Sequence, residues 1–257
     1  MPFANINGIE IYHEVHGDGD PIVLLHHGFG CTKMWKDIYP ALVENGYQVI
    51  MYDRRGYGRS KMGEDFKEFY VSDRFRSKNI NDLNQLMDFL RIGPFHLIGQ
   101  CGGGVIAIDY VVKFPDRART IVASSTQCYS EIPLFEFNKL KFPNVFRELR
   151  SDLKQKLIEW HGKDCAEPFY NQFRRYGGAY GKDVFDFRGL LPQLTCPALV
   201  LYPDRSSFFD VEQGMALYRH LPYGELAVLP KCGHNTYEHQ PEEYVHHVLN
   251  FLMRYRY

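Results

Sequence analysis

The densest chemistry in the chain sits at Gly99-Gln100-Cys101-Gly102-Gly103, which follows the apolar run Phe95 to Ile98 and opens into a helical stretch from Gly104 to Phe114. Small residues on both sides let the backbone turn sharply, so a nucleophile in the middle is thrust out at the strand-to-helix junction. At position 101 that nucleophile is a thiol. The N-terminus of the following helix is expected to lower its pKa and to offer backbone N–H groups to an oxyanion. Context, more than the Gly-x-Cys-x-Gly spacing alone, gives the pattern its specificity.

Three more turns carry reactive or hydrogen-bonding side chains, each just after a short apolar run. His26-His27-Gly28-Phe29-Gly30 follows Ile22 to Leu25, Asp53-Arg54-Arg55-Gly56-Tyr57-Gly58-Arg59-Ser60 follows Tyr47 to Tyr52, and Lys231-Cys232-Gly233-His234 follows Leu226 to Leu229. In an open parallel sheet, ligands bind beyond the carboxyl ends of the strands, so all four turns are expected at one end of the fold.

Runs this short and apolar on both faces suit parallel strands covered by helices on each side. Further runs lie at Thr120 to Ala123 and Ala198 to Tyr202. Helical stretches fall between them at Met34 to Asn45, Asn79 to Arg91, Gly104 to Phe114, Val211 to His220 and Pro241 to Arg256. The alternation predicts an α/β fold, a mostly parallel sheet of about eight strands with helices on both faces. Upstream, Asn5 to Glu14 alternates apolar and polar residues around Asn7-Gly8, the signal for an antiparallel hairpin at the sheet edge. The alternation stops for about 70 residues between Ser124 and Pro197, where helical periodicity appears at Asn144 to Trp160 and Glu167 to Tyr176. A structureless loop of that length does not suit a compact domain, so a helical insertion lying over the site as a cap is expected. The expected division is core over 1–126, cap over 127–195 and core again over 196–257.

At 257 residues the chain can bury roughly 70–75% of the surface its unfolded form exposes, without help from disulfides or metal. Its 30 basic and 31 acidic side chains give a net charge of −1 with no run of like charges, which excludes a nucleic-acid groove or a polybasic membrane anchor. No apolar stretch approaches the roughly 18 residues of a membrane span, and Met-Pro-Phe-Ala does not read as a signal peptide, so a cytoplasmic protein is expected. The six cysteines, at 31, 101, 128, 165, 196 and 232, form no CxxC pair and no metal-finger spacing. Free thiols in a reducing compartment are expected, with no metal and no cofactor. Cys31, Cys128 and Cys232 fall near the inferred mouth, with Cys128 the candidate resolving partner of Cys101.

The His-Gly-Phe-Gly turn, the Asp-Arg-Arg-Gly-Tyr-Gly-Arg-Ser turn, the cysteine elbow and the late Gly-His, in that order, resemble the α/β-hydrolase superfamily. The resemblance runs from about residue 5 to 255, with the insertion matching that family's cap. It implies that Cys101 is the nucleophile, standing where serine is usual, and that His234 is the general base that then protonates the leaving group. It implies an oxyanion hole from the backbone N–H groups of Phe29 and Gly102, typically about 3–4 kcal/mol per donor in related acyl-transfer enzymes. Structural parts are implied for His27, Asp53 and Arg54. The triad carboxylate is where the chain departs. The family places an aspartate just after the penultimate strand, and aligning Pro203 with the family's strand-end glycine puts Ser206 in that place. Asp204 is the nearest substitute and keeps the order nucleophile, acid, histidine; Asp210 lies further along. A thiol acidified by a helix would need the carboxylate less than a serine would, which links the two departures.

The implied activity is hydrolysis of a small to medium, largely apolar ester, lactone or thioester through an acyl-cysteine, run by a Cys101–His234 dyad or a Cys101–His234–Asp204 triad. Of the aromatic residues between Phe135 and Phe187, among them Phe142, Trp160, Phe169, Phe173 and Tyr180, some are expected to pack the insertion onto the core and the rest to line an apolar pocket. Two alternatives stand beside it: an acyltransferase using the same cysteine, and a ligand-binding protein of the same fold with little turnover. The expected partner is a small-molecule acyl substrate, not nucleic acid or a membrane.

Overall fold

Short apolar runs become the strands of a single sheet in the computed structural model, which describes residues 2–64, 66–72, 74–176 and 184–256. Tyr180 lies outside the described residues. The strands are β1 (Phe3–Ile6), β2 (Ile9–His16), β3 (Asp20–Leu25), β4 (Tyr47–Tyr52), β5 (Phe95–Gln100), β6 (Ala118–Ser124), β7 (Ala198–Pro203) and β8 (Gly224–Leu229). They form an eight-stranded sheet in the order β1-β2-β4-β3-β5-β6-β7-β8. The β1/β2 and β2/β4 pairs are antiparallel and all other neighbours are parallel. The hairpin turns at Asn7 and Gly8, with φ of 52° and 80°, the two left-handed residues that a two-residue turn of matching twist demands. Along β3, Val23 and Leu25 join one buried cluster while Ile22 and Leu24 join another on the opposite face. Both faces are covered, which is why these strands read as continuous apolar runs.

The helices are α1 (Tyr39–Glu44), α2 (Phe66–Val71), α3 (Phe75–Phe89), α4 (Gly102–Lys113), α5 (Leu134–Lys141), α6 (Ser151–His161), α7 (Ala166–Tyr176), α8 (Glu212–His220), α9 (Thr236–His239) and α10 (Pro241–Leu252). Met34 to Asn45, expected as one helix, is instead a 3-10 turn at Thr32–Trp35 followed by α1. Pro40 has no N–H to give a preceding turn, so the helix begins afresh with proline in its first turn. Asn144 to Trp160 likewise shortens to α6 behind a 3-10 turn at Phe146–Glu148. Helices α2 and α5, at six and eight residues, are too short to show a readable period.

Helices α5, α6 and α7 lie between β6 and β7. Their Leu157, Phe169, Tyr170 and Phe173, with Phe146 of the 3-10 turn between α5 and α6, share a buried cluster with Phe29 and Tyr57, from the loops after β3 and β4. The segment therefore packs on the loops at the carboxyl ends of the strands. No helix among the described residues is long and apolar enough to cross a membrane.

Candidate active site

Close backbone packing sets the geometry at position 101. A Cβ on Gly103 would stand 2.1 Å from the Leu25 carbonyl oxygen, and one on Gly99 would stand 2.4 Å from the Gly103 carbonyl carbon. Only glycine lets α4 start this close to β3 and β5. Cys101, between β5 and α4, is consequently bent to φ 51°, ψ −114°. Its N–H donates to the Ser124 carbonyl at 2.8 Å, which holds the bend. A non-glycine residue in such a conformation costs about 1–3 kcal/mol and persists where its surroundings over-determine it.

The thiol of Cys101 opens onto a cavity of about 730 Å³ that also meets Gly102, Phe29 and His234. Burial pushes the thiol up to about 12, and the Gly102 N–H against it pulls the other way by less. The expectation that the helix N-terminus acidifies this thiol is overturned, because desolvation of the charged form outweighs the helix.

His234, expected on the loop after β8, lines the same cavity. Its backbone carbonyl accepts from Gln100 Nε2 at 2.8 Å and from Ser125 Oγ at 2.8 Å. Thr236 Oγ1 donates to Gln100 Oε1 at 3.1 Å, so the residue just before the thiol pins the histidine loop at two points. The ring stands edge-on to Phe208 and Phe209, with centroids 4.7 and 5.4 Å away. Burial lowers the imidazole to about 3, with His239 nearby adding to the effect. The resting pair is thus a neutral thiol and a neutral imidazole.

The partner of His234 Nδ1 is Ser206 Oγ, at 3.2 Å. The structure does not bring Asp204 to this nitrogen. Asp204 Oδ1 accepts the Cys232 N–H at 3.0 Å, and Oδ2 lies 3.6 Å from Arg205 Nε. The N–H groups of Lys231 and then Cys232 hold its carboxyl below the usual range. Asp204 braces the chain that delivers His234 from behind, and the reason is register: its own N–H donates to Leu229 at the end of β8. Asp210 accepts the Glu212 N–H at the start of α8. His239, the other histidine of this loop, accepts the Gly233 N–H at 3.1 Å.

Of the two expected oxyanion donors, Gly102 N–H touches the thiol. The Phe29 N–H instead donates to His27 Nδ1 at 3.1 Å. With that nitrogen accepting, the neutral His27 ring carries its proton on Nε2, which reaches the Tyr237 hydroxyl at 3.0 Å. Buried Arg54 donates to the carbonyls of His26 and His27 at 3.2 and 2.9 Å, clamping this loop. Asp53 accepts the Thr32 and Arg59 N–H groups at 2.7 and 2.8 Å.

Over the thiol, Phe142, Phe173, Leu149 and Trp160 from the α5–α7 segment line the cavity. Its charged rim is largely self-paired, Arg150 with Asp152 and Lys156 with Glu238. All six cysteines are free thiols. Among the described residues no group of three or more His, Cys, Asp or Glu side chains is placed to hold a metal.

Residues the sequence reading passed over are Gln100, Ser125 and Thr236. The polar Gln100 at the end of β5, and the polar Ser124-Ser125-Thr126 at the end of β6 and just past it, are the available signals.

A family model described as alpha/beta hydrolase fold matches residues 20–159. The chain is 32% identical over 131 residues to a proline iminopeptidase of Lactobacillus helveticus, covering 49% of this chain but only 42% of that enzyme. It is 27% identical over 278 residues to the 2-hydroxy-6-oxononadienedioate/2-hydroxy-6-oxononatrienedioate hydrolase of Escherichia coli (strain K12), covering 96% of this chain and 92% of that one. Among solved structures, a meta-cleavage product hydrolase from Pseudomonas fluorescens IP01 superposes with a TM-score of 0.81 at 17% identity, covering 98% of this chain and 97% of that one. The enol-lactonase from Burkholderia xenovorans LB400 gives 0.76 at 18%, covering 98% and 100%. At these identities the two structures speak to the fold.

Proposed function

We propose that this chain, which belongs to the α/β-hydrolase fold family, hydrolyses a small to medium, largely apolar ester, lactone or thioester through an acyl-cysteine at Cys101. The observation that carries the reading is the left-handed backbone of Cys101, φ 51°, held by glycine packing at the floor of an aromatic-lined cavity. Strain of this kind, kept at a cavity floor, is what a presented nucleophile requires. In the reaction Sγ adds to the acyl carbon, and the Gly102 N–H meets the developing oxyanion. His234 Nε2 takes the thiol proton and returns it to the leaving group, and water then releases the acid from the thioester. The α5–α7 segment acts as the cap that keeps the acyl chain dry. Six free thiols suit a reducing, cytoplasmic setting.

The lining argues about charge as well. The substrate named for the Escherichia coli relative is a dioate, whereas here Arg150 and Lys156 at the rim are engaged with Asp152 and Glu238, Arg205 stands 3.6 Å from Asp204, and Lys141 donates to the Ser207 carbonyl at 2.9 Å. An uncharged or weakly charged acyl group fits better than a dianion.

A second reading, a ligand-binding protein or acyltransferase with slow hydrolysis, is favoured by one feature: Nδ1 of His234 meets a hydroxyl where a triad has a carboxylate. Incubation with short aryl esters and acyl thioesters, following product release and intact mass together, separates the readings. Steady release without adduct is the expected hydrolase result. A long-lived adduct at Cys101 discharged only by an added thiol or amine would make it a transferase, and neither adduct nor turnover would make it a binding protein.

A further inference from the structure

We propose that Ser206 is a positioning residue that fixes His234 in the tautomer with its proton on Nε2, the reverse of the tautomer that a triad carboxylate enforces. Three nitrogens surround Ser206 Oγ: the backbone N–H of Phe208 at 3.2 Å, the backbone N–H of Phe209 at 3.1 Å, and His234 Nδ1 at 3.2 Å. A hydroxyl has two lone pairs and one proton. The two backbone groups are obligate donors, so they occupy both lone pairs. What remains for Nδ1 is the hydroxyl proton, and Nδ1 must accept it through its own lone pair. A neutral imidazole has one N–H, which is therefore on Nε2. An aspartate at 206 would be acceptor-only and would demand the opposite arrangement.

Neighbouring contacts keep the ring from escaping this choice. The backbone carbonyl of His234 is held by Gln100 and Ser125, and Phe208 and Phe209 flank the ring on their edges. Turning the ring over would offer Ser206 a carbon in place of Nδ1. Burial also keeps the ring neutral, so the second proton that would make both nitrogens donors is absent.

The chemical consequence concerns the cavity-facing nitrogen. In this tautomer Nε2 is a donor, suited to hold a carbonyl or carboxyl oxygen of the ligand, and it has no lone pair with which to take the Cys101 proton. Acylation must wait for one proton to leave Nε2 to water and one to reach Nδ1 from water, with no net change, while Ser206 gives up its bond. The kinetic consequence rests on the acyl-cysteine reading; the tautomer itself does not.

The test labels the histidines with 15N and reads the tautomer of each ring at neutral pH from two-bond 1H–15N correlations, with His234 assigned by the signal lost in His234→Gln. His26 serves as an internal reference for the Nδ1–H form, since its Nδ1 faces the His27 carbonyl at 2.9 Å. The expected wild-type result is the Nε2–H pattern for His234, converting to Nδ1–H in Ser206→Asp. In the same variant the rate of Cys101 acylation by an aryl ester should rise by about tenfold to a hundredfold, the penalty of one broken buried hydrogen bond being removed. Ser206→Ala, which leaves Nδ1 without a donor, should lose the preference and show both forms; it keeps the test open if the aspartate variant does not fold. An Nδ1–H pattern in the wild type overturns the proposal, as does a pattern unchanged by either substitution. If no ester acylates any of these proteins, the hydrolase reading fails while the spectra still decide the tautomer.

Discussion

Alkylation of Cys101 by iodoacetamide, followed site by site by peptide mass spectrometry from pH 6 to 10.5, measures how the turn between β5 and α4 holds its thiol. Burial raises that thiol from an ordinary 9.0 to about 12, and His234 is lowered to about 3, so no thiolate–imidazolium pair forms at rest. A rise of three pH units cuts the thiolate fraction near neutrality by roughly a thousandfold. The more basic thiolate is intrinsically the better nucleophile; with a Brønsted slope of about 0.4–0.5, three units return a factor of roughly 20. The net expectation is alkylation about 50-fold slower than in a free cysteine peptide at the same pH. The logarithm of the rate should climb with unit slope across the whole range and reach no plateau.

Cys165, which is exposed, provides an accessible site in the same digest. If alkylation of Cys101 levels off below pH 8, or proceeds rapidly near pH 5, then the thiol is ionised against His234. The argument that desolvation outweighs the helix N-terminus would then be wrong.

Three further outcomes follow from the same geometry. His26, His27, His96, His161 and His234 are all lowered by burial. A depressed histidine gives stability that is complete above its unfolded value of 6.5 and lost as pH falls toward the folded value; each removes up to about 1.4 kcal/mol per pH unit in that window, so urea midpoints should collapse between pH 6.5 and 4. A midpoint independent of pH there would show that these rings are protonated in the fold. Gly103→Ala puts a methyl 2.1 Å from the Leu25 carbonyl and should cost about 2–3 kcal/mol by urea titration; an unchanged midpoint would mean that α4 can slide away from β3. Asp204→Asn should keep most of the activity on the preferred ester, because the carboxylate braces Cys232 and does not reach His234. A loss near the roughly 10⁴-fold seen when a triad aspartate is replaced would show instead that it serves as the acid.

Much of this was legible because the relevant signals are local. The doubly buried strands announce themselves as apolar runs, and the sharp strand-to-helix turn at Cys101 follows from small residues set between an apolar run and a helical stretch. His234 and the position of Ser206 also follow from short motifs set after strands. What the chain does not display in one dimension is which hydrogen bonds its loops choose. Gln100 and Ser125 reach the His234 carbonyl from more than 100 residues away. Phe29 N–H, read as an oxyanion donor from its place in a loop motif, is taken up by a side chain two residues back. Asp204 looked like the substitute acid because it is the nearest carboxylate in sequence, yet the β7–β8 register commits it to the Cys232 N–H. Helix breaks at Pro40 and before Ser151 were missed for the opposite reason, a periodicity that continues while the backbone does not.

The link between the two departures from the family pattern therefore has to be drawn differently from the way the sequence suggested. A thiol acidified by the helix would have tolerated the loss of the carboxylate, but burial holds Cys101 at about 12 and removes that compensation. Cysteine and Ser206 now point the same way. A neutral thiol does not attack unless a base takes its proton, and a histidine whose Nδ1 accepts from Ser206 would have no base on its cavity side. On the proposed tautomer each feature alone would slow acylation, and together they would leave Nε2–H and the Gly102 N–H as the donors at the cavity. On the acyl-cysteine reading, acylation would begin only when the bound ligand stabilises the other tautomer. On that reading selectivity would turn on which acyl group stabilises the Nδ1–H form, and the rate would be controlled at Ser206 as well as at Cys101.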